Sequence, residues 1–151
     1  MNAFFDSVEQ RDNLLRIARS WLGTPFHPHA AIRGVGVDCV HLLAEIYRET
    51  GLVAGYELPR YTMGGGDHAD VSLVVSWLEA HPRFRRIHLA AEALAVGDLV
   101  TFRLGRVAHH VGLMLGERRF LHAIRDCGVL ESRIDEKTYA RRLLRAYRPV
   151  P

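Results

Sequence analysis

The stretch HHVGLMLGERRFLHAI, residues 109–124, decides the fold. An apolar run from Val111 to Leu115 ends at Gly116-Glu117-Arg118, and a second run extends from Phe120 to Ile124. Two short apolar runs separated by a glycine-bearing turn read as an antiparallel hairpin. Each run carries a histidine, His110 at the head of the first and His122 inside the second. A hairpin with the right register brings these two side chains near each other. Successive side chains on a strand alternate faces, so His109 and His110 cannot both point at one site.

Outward from this hairpin, Gly97-Asp98 reads as a turn into a strand at 99–104. Further strands are expected at 128–134 and 143–147, with one helical turn at 135–140. The N-terminal half has the helical period instead. Asp6-Ser7-x-Glu9 offers a capping-box-like start, and Leu14, Ala18, Trp21 and Leu22 recur at helical spacing until Gly23. Residues 24–37 form a loop rich in Pro, His and Gly. A second helix begins at Asp38 or Cys39, with Val40, Leu43, Ile46 and Tyr47 on its apolar face and Gly51 just past its end. Residues 61–68 contain Gly64-Gly65-Gly66 and read as a flexible loop; they lack the lysine and hydroxyl of a phosphate-binding loop. Val71, Val74, Val75 and Leu78 mark a third helix before Pro82. Helices first and strands later define an α+β class, with N-terminal helices packed on a C-terminal antiparallel sheet.

Composition sets the outer bounds. The chain has 151 residues, 48% hydrophobic and 25% charged, which is ordinary for a globular protein. One domain over residues 1–151 is the expectation at this length. Such a domain buries about 70% of its unfolded surface, enough for a core and a pocket. No apolar stretch of roughly 18 residues is present, so no membrane span is expected. MNAFFDSVEQ lacks the basic and long apolar regions of a secretory signal peptide. The net charge of +3 is a mild signal, and no direct nucleic-acid recognition is expected from it. Cys39 and Cys127 are too few for a disulfide scaffold, and both are expected as free thiols.

Cys39 is the first candidate for chemistry. With Asp38 as N-cap it falls in the first helical turn, where free amides and the helix dipole favour a thiolate. A lone cysteine is more often a small buried hydrophobe. Of the nine histidines, His110 and His122 are best placed, since each lies on an expected strand. A thiolate, a histidine base and a third group orienting that base make up a nucleophilic triad. Two satisfied half-buried imidazoles would look the same in sequence. Zinc is the rival chemistry, from His27-x-His29, His109-His110, His122 and Cys39, but neither C-x₂-C nor HExxH is present.

Three segments extend the reading: WLGTPFHPHAAIRGVGVDCVHLL, VGDLVTFRL and HVGLMLGERRFLHA. They resemble, in order, the G-x-P-[YF] loop with D-C-[SV]-G-L, the GDLV-F strand, and the H-[VA]-G-[IL] strand of NlpC/p60-type cysteine peptidases. That papain-like group cuts bacterial cell-wall peptides. The resemblance runs from about Ala18 to Pro149 and implies Cys39 as nucleophile, His110 as general base and His122 as the group orienting the base. It implies no cofactor and no metal. The spelling GVGVDCV looks closest to members carried in phage and prophage tails and in phage-like gene transfer particles. By that resemblance the chain is made in the cytoplasm without a signal peptide and acts at the periplasmic cell wall. Its substrate would be the peptidoglycan stem peptide, cut at the γ-D-glutamyl–diaminopimelate bond to let a tail or DNA pass. Its partners would be a tail hub or baseplate. The alternatives are a structural tail component with the same fold and little turnover, or an amidase on the same scaffold. Two departures from the family pattern stand out. Phe26 replaces a tyrosine and cannot donate a hydrogen bond. His41 replaces a glycine two residues after Cys39, about 200° around the helix, where it either crowds the next layer or lines the cleft.

Overall fold

The structure is a computed structural model that describes residues 2–61, 69–104 and 108–151. The glycine string at 64–66 and His68 lie outside the described residues.

The first helix, α1 (Val8–Arg19), starts on Ser7, whose side chain accepts from the Gln10 amide while Gln10 returns a bond to the Ser7 amide. The capping box is therefore Ser7 with Gln10, one residue on from the expected Asp6–Glu9 pair. Leu14, Ile17 and Ala18 form the buried face of α1. Trp21 and Leu22 lie past its end in a turn, and only Trp21 is buried. The loop that follows holds a short hairpin, β1 (Ala31–Ile32) with β2 (Gly36–Val37). Helix α2 (Cys39–Glu49) is capped by Asp38 and buries Val40, Leu43, Ile46 and Tyr47 as the spacing predicts, with Leu42 beside them. Helix α3 (Ala69–Ala80) follows.

The C-terminal half is a six-stranded sheet, built from β3 (Phe84–Ile87), β4 (Leu99–Leu104), β5 (Ala108–Gly116), β6 (Arg119–Ile124), β7 (Gly128–Arg133) and β8 (Leu143–Pro149). A short helix, α4 (Lys137–Ala140), precedes β8. Every pairing is antiparallel, in the order β3-β8-β4-β5-β6-β7. The last strand thus inserts between β3 and β4. The β5–β6 turn places Glu117 and Arg118 at φ 53° and 62°, the left-handed pair that a two-residue hairpin of the right twist requires.

Both faces of the sheet are covered, and alternation along the strands sorts them. Leu99, Val111, Leu113, Leu115, Leu121 and Ala123 join the helices in the larger core. Val100, Phe102, Met114, Phe120 and Ala146 form a second core under Ile134, Tyr139 and Leu143. His110 and His122 share the parity of this second set. Gly128 ties the sheet to the loop before α2: its φ is +79°, and a Cβ there would stand 2.6 Å from the Thr24 carbonyl oxygen. Thr24 O in turn accepts from the Val129 amide at 2.9 Å. No helix among the described residues is long and apolar enough to cross a membrane.

Candidate active site

Helix α2 packs on β5 and β6, and Cys39 is its first residue. The β5–β6 ladder runs from Gly116↔Arg119 to Leu113↔Leu121, whereas β6–β7 continues to Ile124↔Gly128. The two central strands therefore part where His110 and Val111 lie. The Val111 amide is released from the ladder on that side and bonds the Cys39 sulfur. The amides of Cys39 and Val40, which have no helical partner in a first turn, act on the same sulfur. Among the described hydrogen bonds, none links this sulfur to the His110 ring.

His110 and His122 do meet. His110 Nε2 lies 2.7 Å from His122 Nδ1, and His122 Nε2 lies 2.8 Å from Ser132 Oγ. Two proton arrangements satisfy this chain. In the one that leaves His110 Nδ1 free as an acceptor, His110 Nε2–H donates to His122 and His122 Nε2–H donates to Ser132. Aromatic rings hold the pair: Phe120 and Tyr139 lie 4.4 and 5.4 Å from His122, and Phe102 lies 6.2 Å from His110. Ser132 was not singled out from the sequence. Its signal is parity, since Leu130 opposes His122 and Ser132 is the next side chain on that face.

Burial sets the protonation states. His110 is 7% exposed and His122 0%. Loss of solvent pushes His110 down to about 3, with His122 adding to the effect, and pushes His122 down to about 4. Cys39 is 2% exposed. Its burial raises the thiol, the Asp38 charge raises it further, and the three amides pull it back only in part, leaving it at about 12. The expected resting thiolate is thus corrected: at neutral pH the sulfur keeps its proton, because desolvation outweighs the helix terminus. Cys127 is an exposed free thiol.

Asp38, wholly buried, accepts four hydrogen bonds. Oδ1 receives the His41 amide at 2.8 Å and His41 Nδ1 at 3.0 Å, and Oδ2 receives the His29 amide at 2.8 Å and the Tyr61 hydroxyl at 2.7 Å. Burial alone would raise this carboxyl, but the His41 and Tyr61 donors more than offset it and hold it below its ordinary value. His41 does not crowd a neighbouring layer. It folds back on Asp38 and Tyr61 and lines a groove of about 650 Å³. Tyr61, missed in the sequence, brings a phenol to the carboxylate beside Cys39, whereas Phe26 packs under the Arg125 guanidinium at 5.7 Å. Among the described residues no group of three or more His, Cys, Asp or Glu is placed to hold a metal ion.

A cysteine at the head of a helix, laid on an antiparallel sheet with paired histidines, is a papain-like layout. Residues 23–148 match the NlpC/P60 family, and the chain belongs to it. It is 27% identical over 142 residues to the murein DD-endopeptidase MepS/murein LD-carboxypeptidase of Escherichia coli K12, a match that takes in 94% of this chain and 64% of that protein. It is 30% identical over 128 residues to a probable endopeptidase NlpC homolog of Haemophilus influenzae, covering 85% of this chain and 57% of that one. The chain therefore spans less than two thirds of the length of these relatives. A Staphylococcus aureus protein similar to lipoprotein of the NLP/P60 family superposes with a TM-score of 0.66 at 20% identity, over 99% of this chain and 44% of that one. At that identity the likeness speaks for the fold alone.

Proposed function

We propose that this chain is a cysteine endopeptidase that hydrolyses peptidoglycan stem peptides, with Cys39 as nucleophile, His110 as general base and His122 as its orienting partner. The support for the reading is the His110–His122–Ser132 chain, together with a helix-borne Cys39 whose sulfur takes the amide of Val111, the residue next to His110. The sulfur gives up its proton as it attacks the carbonyl, not before, since both groups are neutral at rest. His110 Nδ1 takes that proton, and the imidazolium is steadied by donation from Nε2 to His122. The Cys39 amide faces the developing oxyanion. His110 then protonates the leaving amine, leaving a thioacyl enzyme. A water, deprotonated by His110, attacks that thioester; the carbon–sulfur bond breaks to free the acid product, and His110 returns the proton to the departing sulfur.

The bond cut is the γ-D-glutamyl–diaminopimelate link, in a single domain spanning 1–151. We place its action at the periplasmic wall, as part of a phage-like tail seated on a hub or baseplate. The support for the tail is the spelling GVGVDCV. Digestion of purified sacculi tests the enzyme reading. Wild type releases new amine ends whose mass spectra identify the bond, and Cys39→Ala and His110→Ala fall to background. Release by Cys39→Ala at the wild-type rate overturns it. Co-sedimentation of the chain with tail particles tests the assembly, and a chain found only free of them overturns that part. The low exposure of Cys39 favours a second reading, a tail component that keeps the fold without turnover. Intact sacculi after prolonged incubation with wild type would select it.

A further inference from the structure

The groove beside Asp38 carries a pattern that the triad does not use. Glu57 and Arg60 line it together with His29, His41, Tyr56 and Tyr61. Both charged side chains are exposed. Among the described residues neither makes an ion pair, with the other or with any third group. The His41 imidazole next to them is held in place, since its Nδ1 is committed to Asp38, and the His29 backbone is tied to the same carboxylate through its amide. His41 therefore has only Nε2 left for a ligand. Two unpaired opposite charges, walled by the Tyr56 and Tyr61 rings and the held His41 imidazole, suit a group that carries both signs. At about 650 Å³ the groove is within the usual range for small-molecule sites. It lies against Asp38, the residue immediately before the nucleophile.

We infer that this groove takes a zwitterionic amino-acid head, its carboxylate on Arg60 and its ammonium on Glu57. The inference rests on the peptidoglycan reading for its substrate: a diaminopimelate side chain ends in such a head, whereas a lysine side chain ends in an ammonium alone. Arg60 and Glu57 are then specificity-determining residues. The carboxylate sits bidentately on the planar guanidinium, a fit that lysine in its place cannot reproduce.

The test is binding, kept apart from turnover by the use of Cys39→Ala. Three probe peptides are titrated by calorimetry: L-Ala-γ-D-Glu-diaminopimelate, the same peptide with its distal carboxyl amidated, and the same peptide with L-Lys. The diaminopimelate peptide is expected to bind about tenfold more tightly than either of the others, since a hydrogen bond to a charged group is lost in each. Arg60→Gln removes that preference, Arg60→Lys restores part of it, and Glu57→Gln weakens the diaminopimelate and lysine peptides alike. Raised salt weakens the preferred complex. Equal binding of the three peptides overturns the inference, as does an unchanged preference in Arg60→Gln, or no binding of the diaminopimelate peptide. Discrimination in the binding assay by a chain that leaves sacculi intact would keep this site and sink the enzyme reading. Cleavage without discrimination would do the reverse.

Discussion

Acid destabilises this protein through its buried histidines, and the size of the effect follows from the site. An ordinary histidine titrates near 6.5, whereas burial holds His110 at about 3 and His122 at about 4. The unfolded chain therefore binds two protons on acidification that the folded chain refuses. The stability from keeping these rings neutral is fully present above pH 6.5. It is lost progressively as pH falls toward the folded values. At pH 5 each ring has lost about 1.5 pH units of linkage at about 1.4 kcal/mol each, roughly 2 kcal/mol per ring and 4 kcal/mol for the pair. For a domain of this size that is a large share of the total. The Asp38 carboxyl, held below its ordinary 3.8, costs stability only at lower pH and leaves this window clear. Urea unfolding at pH 8, 7, 6 and 5 measures the slope. His122→Gln keeps an acceptor for His110 and removes one titrating ring, so the slope below pH 6 should fall by about half. An unfolding free energy that stays flat from pH 8 to pH 5 would refute neutral burial of the pair, as would an unchanged slope in His122→Gln.

Other substitutions probe the surrounding parts. Asp38→Asn keeps an N-cap but removes the charge that raises the Cys39 thiol. Alkylation of Cys39 at pH 8, followed by peptide mass spectrometry with Cys127 as internal reference, should therefore speed up relative to wild type. Gly112→Ala sets a Cβ 2.7 Å from the Phe120 ring, which lies tilted against His122. A loss of about 1–3 kcal/mol in urea unfolding is expected from overpacking. Ser132→Ala removes the end of the imidazole chain. Its kcat on a stem peptide should drop about fivefold with KM unchanged, the size of one hydrogen bond of roughly 1 kcal/mol, and Ser132→Thr should recover it.

Much of this was legible in the residues, for reasons that differ from place to place. Strands β5 to β7 follow one another through short turns, so local alternation and the turn glycines mark them, and Gly97-Asp98 marks the start of β4. Strand β3 escaped notice because FRRI carries two arginines and gains its strand character from β8, more than fifty residues later in the chain. The insertion of β8 between β3 and β4 likewise rests on distant pairing, which no local pattern encodes. The Asp38 cap, the α2 start and the approach of His110 to His122 were readable, because each depends on neighbours in helix or hairpin. Tyr61 was not, since it reaches Asp38 across 23 residues. The charge on Cys39 was misjudged for a similar reason. A helix terminus can be read from sequence, but the depth of burial that overrides it depends on how the strands part around the sulfur.

The central claim is that Cys39 becomes acylated by a wall peptide with His110 as the base. Rapid mixing of wild type with stem peptide, acid quenching and mass spectrometry of the intact chain test it most directly. The prediction is a chain heavier by the acyl fragment, with the added mass on the peptide that contains Cys39, strongly diminished in His110→Ala and absent in Cys39→Ala. Peptide hydrolysis that proceeds in wild type and in Cys39→Ala alike, with no adduct on Cys39, would contradict it.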